Sequence, residues 1–332
     1  MIRRREALLS LIVLPAVASC EDEKKKVVKK TTLAVIPKGT THEFWKSVHA
    51  GAERAAQSIG NIEVIWKGPL KEDDLKAQID IVQSMIAQGV AGIILAPLND
   101  KALVNPVKAA VEAKIPVIII DSGLQGKDHL SFIATDNRGV GVKAAEHLAK
   151  SIGQKGKILV LRYQEGSAST SEREAGFLGL IKGNYQQIAV LSDNQYGGAT
   201  TESAFAAAEN LLAAHKAAEG GVDAVFCPNE STTFGMLLAL QKANLAGKVK
   251  LVGVDASEKL IQGLRDGHID GLVVQNPLQM GDTAVRTMMM AIGGKKPETY
   301  MDTGSRLVTK ADLDNSEVQE LIHPDLKKWL KE

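Results

Sequence analysis

Short runs rich in Val and Ile, each followed by a stretch of helical periodicity, limit this chain's fold more than any other feature. Runs at 33–36, 63–66, 92–96 and 116–120 are four or five residues long and, Glu63 apart, apolar. Such runs read as strands buried on both faces of a parallel sheet. The segment after the first carries Val48, Ala52, Ala55 and Ala56 on one helical face, and further helical patterns lie at 75–87 and 103–113. A run at 132–135 and a helix over 140–150 follow. The alternation then restarts, with strands at 157–161, 188–191, 224–227, 249–254 and 271–274. Helices are expected at 172–182, 200–215, 232–242, 258–266 and 281–292. Repeated β-α-β units require right-handed crossovers. Two sets of about five strands exceed one compact sheet, so the fold class is α/β, with two doubly wound parallel-sheet lobes. A short strand is expected at 306–308, and short helices in the tail from Lys310.

Five runs end at residues able to grip hydroxyl groups: Asp121, Asp136-Asn137, Asn229, Asp255 and Gln275. Ligands of open α/β sheets bind beyond the carboxyl ends of the strands. Each residue also has a plain reading: Asp121 as a turn former, Asn137 as a helix cap, Arg173 as a solvated first-turn residue, Asn229 as a turn residue beside Pro228, Asp255 as the cap of the helix near Ser257. Their shared placement favours one cleft. Adjacent hydroxyls need planar paired donors and acceptors, and sugar rings need aromatic cover. Phe44 and Trp45 sit together in a loop although aromatics make up only 4% of the chain, so they are candidates for that cover.

Other chemistries find less support. Gly139-Val140-Gly141 lacks the third glycine of a dinucleotide site, and 166–171 lacks the Gly-Lys ending of a P-loop, reading instead as a loop before the Arg173 helix. The seven histidines show no metal spacing, and no cofactor is expected. His42-Glu43 has no accompanying nucleophile, so the chain is not read as an enzyme. The net charge of +1 gives no field for nucleic acid. Cys227 lies within an apolar run and reads as a small core residue.

The N-terminus reads as an export signal: Arg3, Arg4 and Arg5, then an apolar 7–18 too short to span a bilayer comfortably. Val17-Ala18-Ser19-Cys20 resembles a bacterial lipobox, which would make Cys20 a lipidated anchor; the alternative is an ordinary signal peptide cut after Ser19. The three arginines are only a weak match to a twin-arginine signal. The charged 21–30 reads as a tether.

The chain after the tether resembles the periplasmic sugar-binding proteins of the ribose-binding type, which serve ABC transporters and in some cases present sugar to chemoreceptors. The resemblance rests on an ordered set of motifs. These are Thr41-His42-Glu43-Phe44-Trp45, Val117-Ile118-Ile119-Ile120-Asp121 and Ile133-Ala134-Thr135-Asp136-Asn137. They continue with Ser171-Glu172-Arg173-Glu174-Ala175-Gly176-Phe177, Ala224-Val225-Phe226-Cys227-Pro228-Asn229-Glu230, Val252-Gly253-Val254-Asp255 and Val274-Gln275. It implies the periplasmic binding protein type 1 fold, two Rossmann-like lobes joined by a three-segment hinge with crossings near 135–137, 275–278 and 304–306. The implied division is a signal peptide at 1–19, an anchor and tether at 20–31, a first lobe of 32–136 with 277–304, and a second of 137–276 with 305–332. The implied ligand set is an aromatic clamp of Phe44 and Trp45, His42 at a polar position, hydroxyl contacts from Asp121, Asn137, Arg173, Asn229, Asp255 and Gln275, and Tyr196 as a second-lobe aromatic. The implied partners are a small sugar and an ABC permease, for an exported monomer touching the membrane only through its anchor. The alternative is a sensory subunit for a chemoreceptor or histidine kinase. Two departures stand out: His42-Glu43-Phe44-Trp45 replaces Asn-Pro-Phe-Phe, and Ser122 replaces the Arg that follows the strand-end Asp in ribose binders. The ligand class therefore stays open among pentoses, hexoses and sugar alcohols.

Overall fold

The computed structural model describes residues 30–330; the signal peptide, Cys20 and most of the tether lie outside the described residues. In chain order the first sheet is fed by β1 (Thr31–Ile36), α1 (Glu43–Ile59), β2 (Ile62–Trp66), α2 (Leu75–Gln88), β3 (Gly92–Leu95), α3 (Val104–Glu112), β4 (Val117–Ile120) and β5 (Ser131–Ala134). The second is fed by α4 (Asn137–Ser151), β6 (Gly156–Arg162), α5 (Ala168–Asn184), β7 (Ile188–Tyr196), α6 (Thr201–Ala214), β8 (Ala224–Phe226), α7 (Glu230–Lys242), β9 (Lys250–Val254), α8 (Glu258–Arg265) and β10 (Gly271–Gln275). The chain then returns through α9 (Pro277–Ile292) to β11 (Tyr300–Asp302), crosses again to β12 (Ser305–Val308), and ends beyond α10 (Ser316–Ile322).

The strand orders are β11-β5-β4-β3-β1-β2 and β12-β10-β9-β8-β6-β7. All pairings between these strands are parallel except that of β12 with β10. Three segments connect the lobes, as the resemblance implied. Two of them are tied side by side: the Asp136 amide donates to Asp302 Oδ1 at 3.0 Å, and the hydroxyls of Thr135 and Thr303 lie 3.3 Å apart.

The apolar runs lack alternation because helices cover both faces of each sheet. Leu33, Val35, Ile94, Ile118 and Ile120 pack toward α1 and α9, while Ala34, Ile36, Ile93, Val117 and Ile119 pack toward α2 and α3. The second lobe repeats this arrangement. Cys227 is buried in its core, and burial pushes its thiol pKa up.

Glycines let the flanking helices approach closely. A Cβ on Gly141 of α4 would stand 1.9 Å from the Arg173 carbonyl oxygen on α5. The Gly139-Val140-Gly141 pair, read above against a dinucleotide site, thus has a packing reason, and an added methyl there would displace the helix that carries Arg173.

Some boundaries differ from expectation. α5 begins at Ala168 rather than 172, so 167–171 is a helix start and not a loop. α9 begins at Pro277 rather than 281, with Asn276 accepting from the Gln279 amide at 3.0 Å and Pro at N1. β11 was not expected. The helix after β5 is capped by Asp136, which accepts from the Gly139 amide; Asn137 is not its cap.

Candidate functional site

The two sheets point their carboxyl ends at one cleft, and equivalent aspartates stand there. Asp121 follows β4 and Asp255 follows β9, with φ values of 60° and 77°. A left-handed backbone is uncommon outside glycine, and Asp is one of the residues that tolerates it. In both places it turns a buried carboxylate off the strand end. Asp255 Oδ1 accepts from Gln275 Nε2 at 2.7 Å, and Oδ2 accepts from the Glu230 amide at 2.9 Å. Burial raises the Asp255 pKa, against the opposing pull of Arg173 and these donors. Asp121 Oδ2 lies 2.8 Å from the Lys38 ammonium, but off the line of a hydrogen bond, so this oxygen has an ion partner and no hydrogen-bond partner.

Arg173 is buried from α5. Its Nε donates to Asn137 Oδ1 at 2.8 Å and its Nη1 to the Pro228 carbonyl at 2.9 Å, while Nη2 has no partner. Asn137 in turn donates to the Asp121 carbonyl at 3.2 Å. The solvated reading of Arg173 is thereby excluded, and Asn137 orients it rather than lining the cavity between the lobes. Asn229 lines that cavity and also caps α7, with Oδ1 accepting from the Thr232 hydroxyl at 2.6 Å and the Thr232 amide at 3.3 Å. Asp255 does not act as the cap of α8; Ser257 occupies that position.

Glu72, in the loop after β2, is a hub that the sequence reading missed. Its Oε1 accepts from Trp45 Nε1 at 2.6 Å and lies 2.9 Å from His42 Nδ1. From the other lobe, the Tyr163 hydroxyl donates to its Oε2, and Gln164 Nε2 donates to its backbone carbonyl at 2.9 Å. Burial is the largest single influence on the Glu72 pKa and raises it. His42, Lys38 and the Tyr163 hydrogen bond together outweigh it and lower the carboxyl to about 2. Burial likewise opposes the charge on His42, and Glu72, Glu230 and Asp255 overcome it, raising His42 to about 9. Glu230 is pushed up to about 7 by burial, with Asp255 and Glu43 adding and His42 opposing.

These shifts set a pH dependence. His42 is raised, so its stabilisation is complete below its ordinary 6.5 and is lost as pH climbs toward 9. Glu72 is lowered, so its stabilisation is complete above 4.5 and is lost as pH falls toward 2. Glu230 is a raised acid, so stability declines as pH rises from 4.5 to about 7. The melting temperature is expected to peak just above pH 4.5 and to fall toward pH 9, the upper limb flattening in His42→Gln. A melting temperature rising steadily across that range would contradict these assignments.

Further bonds join the lobes. Lys38 Nζ donates to Ser169 Oγ at 3.0 Å and Ser167 Oγ at 3.4 Å, the Ser169 amide donates to Ser122 Oγ at 3.0 Å, and the Glu258 amide donates to Glu43 Oε2 at 3.0 Å. The small hydroxyl residues at 167–171 are thus a contact between lobes. The lobes are drawn together, and the cavity between them measures about 30 Å³.

The cavity between the lobes is lined by His42, Phe44, Trp45, Asp121, Arg173, Asn229, Asp255 and Gln275 among the expected residues. Trp45 is also a core residue of α1, and Phe44 meets it edge-on at 4.9 Å. Tyr196 is not brought to this cavity. β7 runs on as an edge strand to Tyr196, whose ring stays exposed under the Arg162 guanidinium at 4.7 Å. Lys38, Glu72, Tyr163, Ser169 and Glu230 also line the cavity but were not expected there. Lys38 and Tyr163 lie just beyond β1 and β6, so the strand-end rule reaches them when cations and phenols are admitted. Among the described residues no group of His, Cys, Asp and Glu is set to hold a metal, and no helix is long and apolar enough to cross a membrane.

Comparison with known proteins decides the family. The model of the periplasmic binding protein domain matches residues 33–296. The chain belongs to the periplasmic binding protein family. This periplasmic binding protein is 29% identical over 311 residues to the ribose import binding protein RbsB of Salmonella typhimurium, covering 93% of this chain and 99% of the relative. It is 28% identical to the D-ribose/D-allose-binding protein of Pseudomonas aeruginosa, covering 89% and 93%. Among solved structures, it resembles a carbohydrate transporter solute binding protein from Agrobacterium radiobacter in complex with D-arabinose, with a TM-score of 0.84, 32% identity and coverage of 89% and 100%. It also resembles an ABC transporter solute binding protein from Agrobacterium vitis with bound D-fucose, with a TM-score of 0.83, 33% identity and coverage of 88% and 100%.

Proposed function

We propose that this protein is the substrate-binding subunit of a carbohydrate ABC importer, taking a small sugar between its lobes. One observation carries the reading: Asp121 Oδ2, Arg173 Nη2, Glu230 Oε2 and Gln275 Oε1 are buried without hydrogen-bond partners, and their side chains line one cleft. Buried polar groups are costly when unsatisfied. Three acceptors and one donor at the ends of two sheets match a ring of hydroxyls, each of which both donates and accepts. The relatives' named ligands, ribose, allose, arabinose and fucose, support the same class.

A cavity of about 30 Å³ holds roughly one water, so sugar enters by opening of the lobes about the three connecting segments. Sugar bonds to both lobes then favour the closed form, because only differential affinity shifts such an equilibrium. The closed face is read by an inner-membrane permease, outside the cytoplasm, and Cys20 supplies the lipid anchor.

Ribose is one candidate ligand among several. The position that carries Arg in ribose binders is Ser122, whose oxygen faces Ser169 across the lobes. The cation beside Asp121 comes instead from Lys38, and an ammonium is a point charge where a guanidinium is a planar fork. The hydroxyl pattern that fits changes accordingly.

The test is a thermal-shift panel of pentoses, hexoses and sugar alcohols. At least one is expected to raise the melting temperature with dose, by about 2.7 kcal/mol of stabilisation at 100 times its Kd. No shift from any sugar would overturn the assignment.

A further inference from the structure

His42 stands where ribose binders carry Asn, whose amide presents both a donor and an acceptor. It holds the N-cap position of α1, yet its ring makes no bond to the helix end and lines the cavity between the lobes instead. Nδ1 lies 2.9 Å from Glu72 Oε1, while Nε2 has no hydrogen-bond partner among the described residues. The proton on one ring nitrogen is set by what the other meets. An ionised carboxylate only accepts, so Nδ1 carries a proton toward Glu72. A neutral ring would then offer Nε2 as an acceptor; a charged ring offers a second N–H. The surroundings select the charged ring: Glu72 from the first lobe, with Glu230 and Asp255 from the second, outweighs burial.

Glu72 is itself fixed for this task. Oε1 also accepts from Trp45 Nε1 at 2.6 Å, and Oε2 accepts from the Tyr163 hydroxyl of the second lobe. Lys38 adds positive charge nearby. The loop after β1 leaves room for the side chain, since a Cβ on Gly39 would stand 2.8 Å from Glu72 Cγ. With both oxygens engaged, Glu72 acts on a ligand through His42 rather than by direct contact.

From this geometry we infer that Glu72 is a positioning residue for sugar recognition: it makes His42 a donor-only group, whose Nε2–H grips a sugar oxygen acting as acceptor. The inference rests on the sugar-binding reading and adds to it a residue from the loop after β2. It also gives the replacement of Asn by His42 a chemical consequence, because the sugar atom facing position 42 no longer needs a proton to donate.

The test has two readouts. NMR of the full chain with labelled histidine, without sugar, is expected to show both His42 nitrogens protonated at pH 8. Glu72→Gln is expected to bring the His42 midpoint down from about 9 toward 6.5. Calorimetric titration at pH 5.5 and pH 8 then uses a panel of pentoses, hexoses and sugar alcohols that includes D-ribose, D-allose, D-arabinose and D-fucose. For the member bound most tightly, Glu72→Gln is expected to weaken binding about tenfold or more at pH 8. At pH 5.5, where His42 is charged in both proteins, the loss is expected to stay below about threefold. In His42→Asn the same change at Glu72 is expected to cost less than about threefold at either pH, because the coupling runs through the ring. An equal loss at both pH values, or an undiminished loss in His42→Asn, makes Glu72 merely structural; it overturns the inference and leaves the sugar reading standing. A neutral His42 ring at pH 8 in the parent protein does the same and needs no variant to fold. Failure of every sugar to bind removes both readings.

Discussion

In calorimetric titration, Asp255→Ala is expected to weaken sugar binding at least 100-fold. Asp255 is the buried carboxylate of the second lobe, placed off the end of β9 by a left-handed backbone. Hydrogen bonds to charged groups contribute roughly 1.5–3 kcal/mol each, and about 2.7 kcal/mol is a factor of 100. The alanine also frees Gln275 Nε2 and the Glu230 amide, which Asp255 holds at 2.7 and 2.9 Å, so two neighbours of the ligand lose their orientation. Stability should respond much less. Burial raises the Asp255 pKa, so holding its charge costs the folded protein stability that the substitution returns. The denaturation free energy of the ligand-free protein is expected to change by no more than about 1 kcal/mol. Sugar affinity within threefold of the parent would remove Asp255 from the site.

Glu72→Ala is expected to produce the larger loss of stability, roughly 3–5 kcal/mol, the range for removing one partner of a buried ion pair. The substitution leaves Trp45 Nε1 and the Tyr163 hydroxyl without acceptors and His42 without its nearest counter-charge. Burial then acts on His42 with less opposition, so its pKa falls and the pH-dependent limb above 6.5 shrinks. Because Tyr163 reaches the Glu72 carboxylate from the second lobe, the variant should also open the lobes, seen as a larger radius of gyration in X-ray scattering. Urea denaturation gives the magnitude. A change below about 1 kcal/mol, with the pH limb intact, would show that the hub is not formed in solution.

The first of these residues is legible in the sequence and the second is not. Asp255 ends an apolar run, and a carboxylate at the end of a buried parallel strand has few structural uses. Glu72 lies in Lys71-Glu72-Asp73-Asp74, which in sequence is indistinguishable from a solvated charged loop. Its partners are distant in sequence, with Trp45 and His42 on one side and Tyr163, 91 residues away, on the other. The two sheets were readable because strands covered on both faces must be continuously apolar, as at 117–120. The glycine pair at 139 and 141 was readable as a pair but not as the close contact of α4 with α5, because the contact depends on a partner helix. Tyr196 shows the reverse case. It carries the right chemistry in the right order, but β7 is an edge strand that continues past the expected end at 191 and leaves the ring outside the cavity. Asn229 carries both of its readings at once, capping α7 and lining the cleft.

The most direct test of the central claim is a crystal structure of the protein with the sugar that stabilises it most. The account predicts one sugar between the lobes, with hydroxyls within hydrogen-bond distance of Arg173 Nη2, Asp255 and Gln275 Oε1, and with Phe44 against a ring face. A sugar bound outside the cleft, with the space between the lobes still at about 30 Å³, would contradict it.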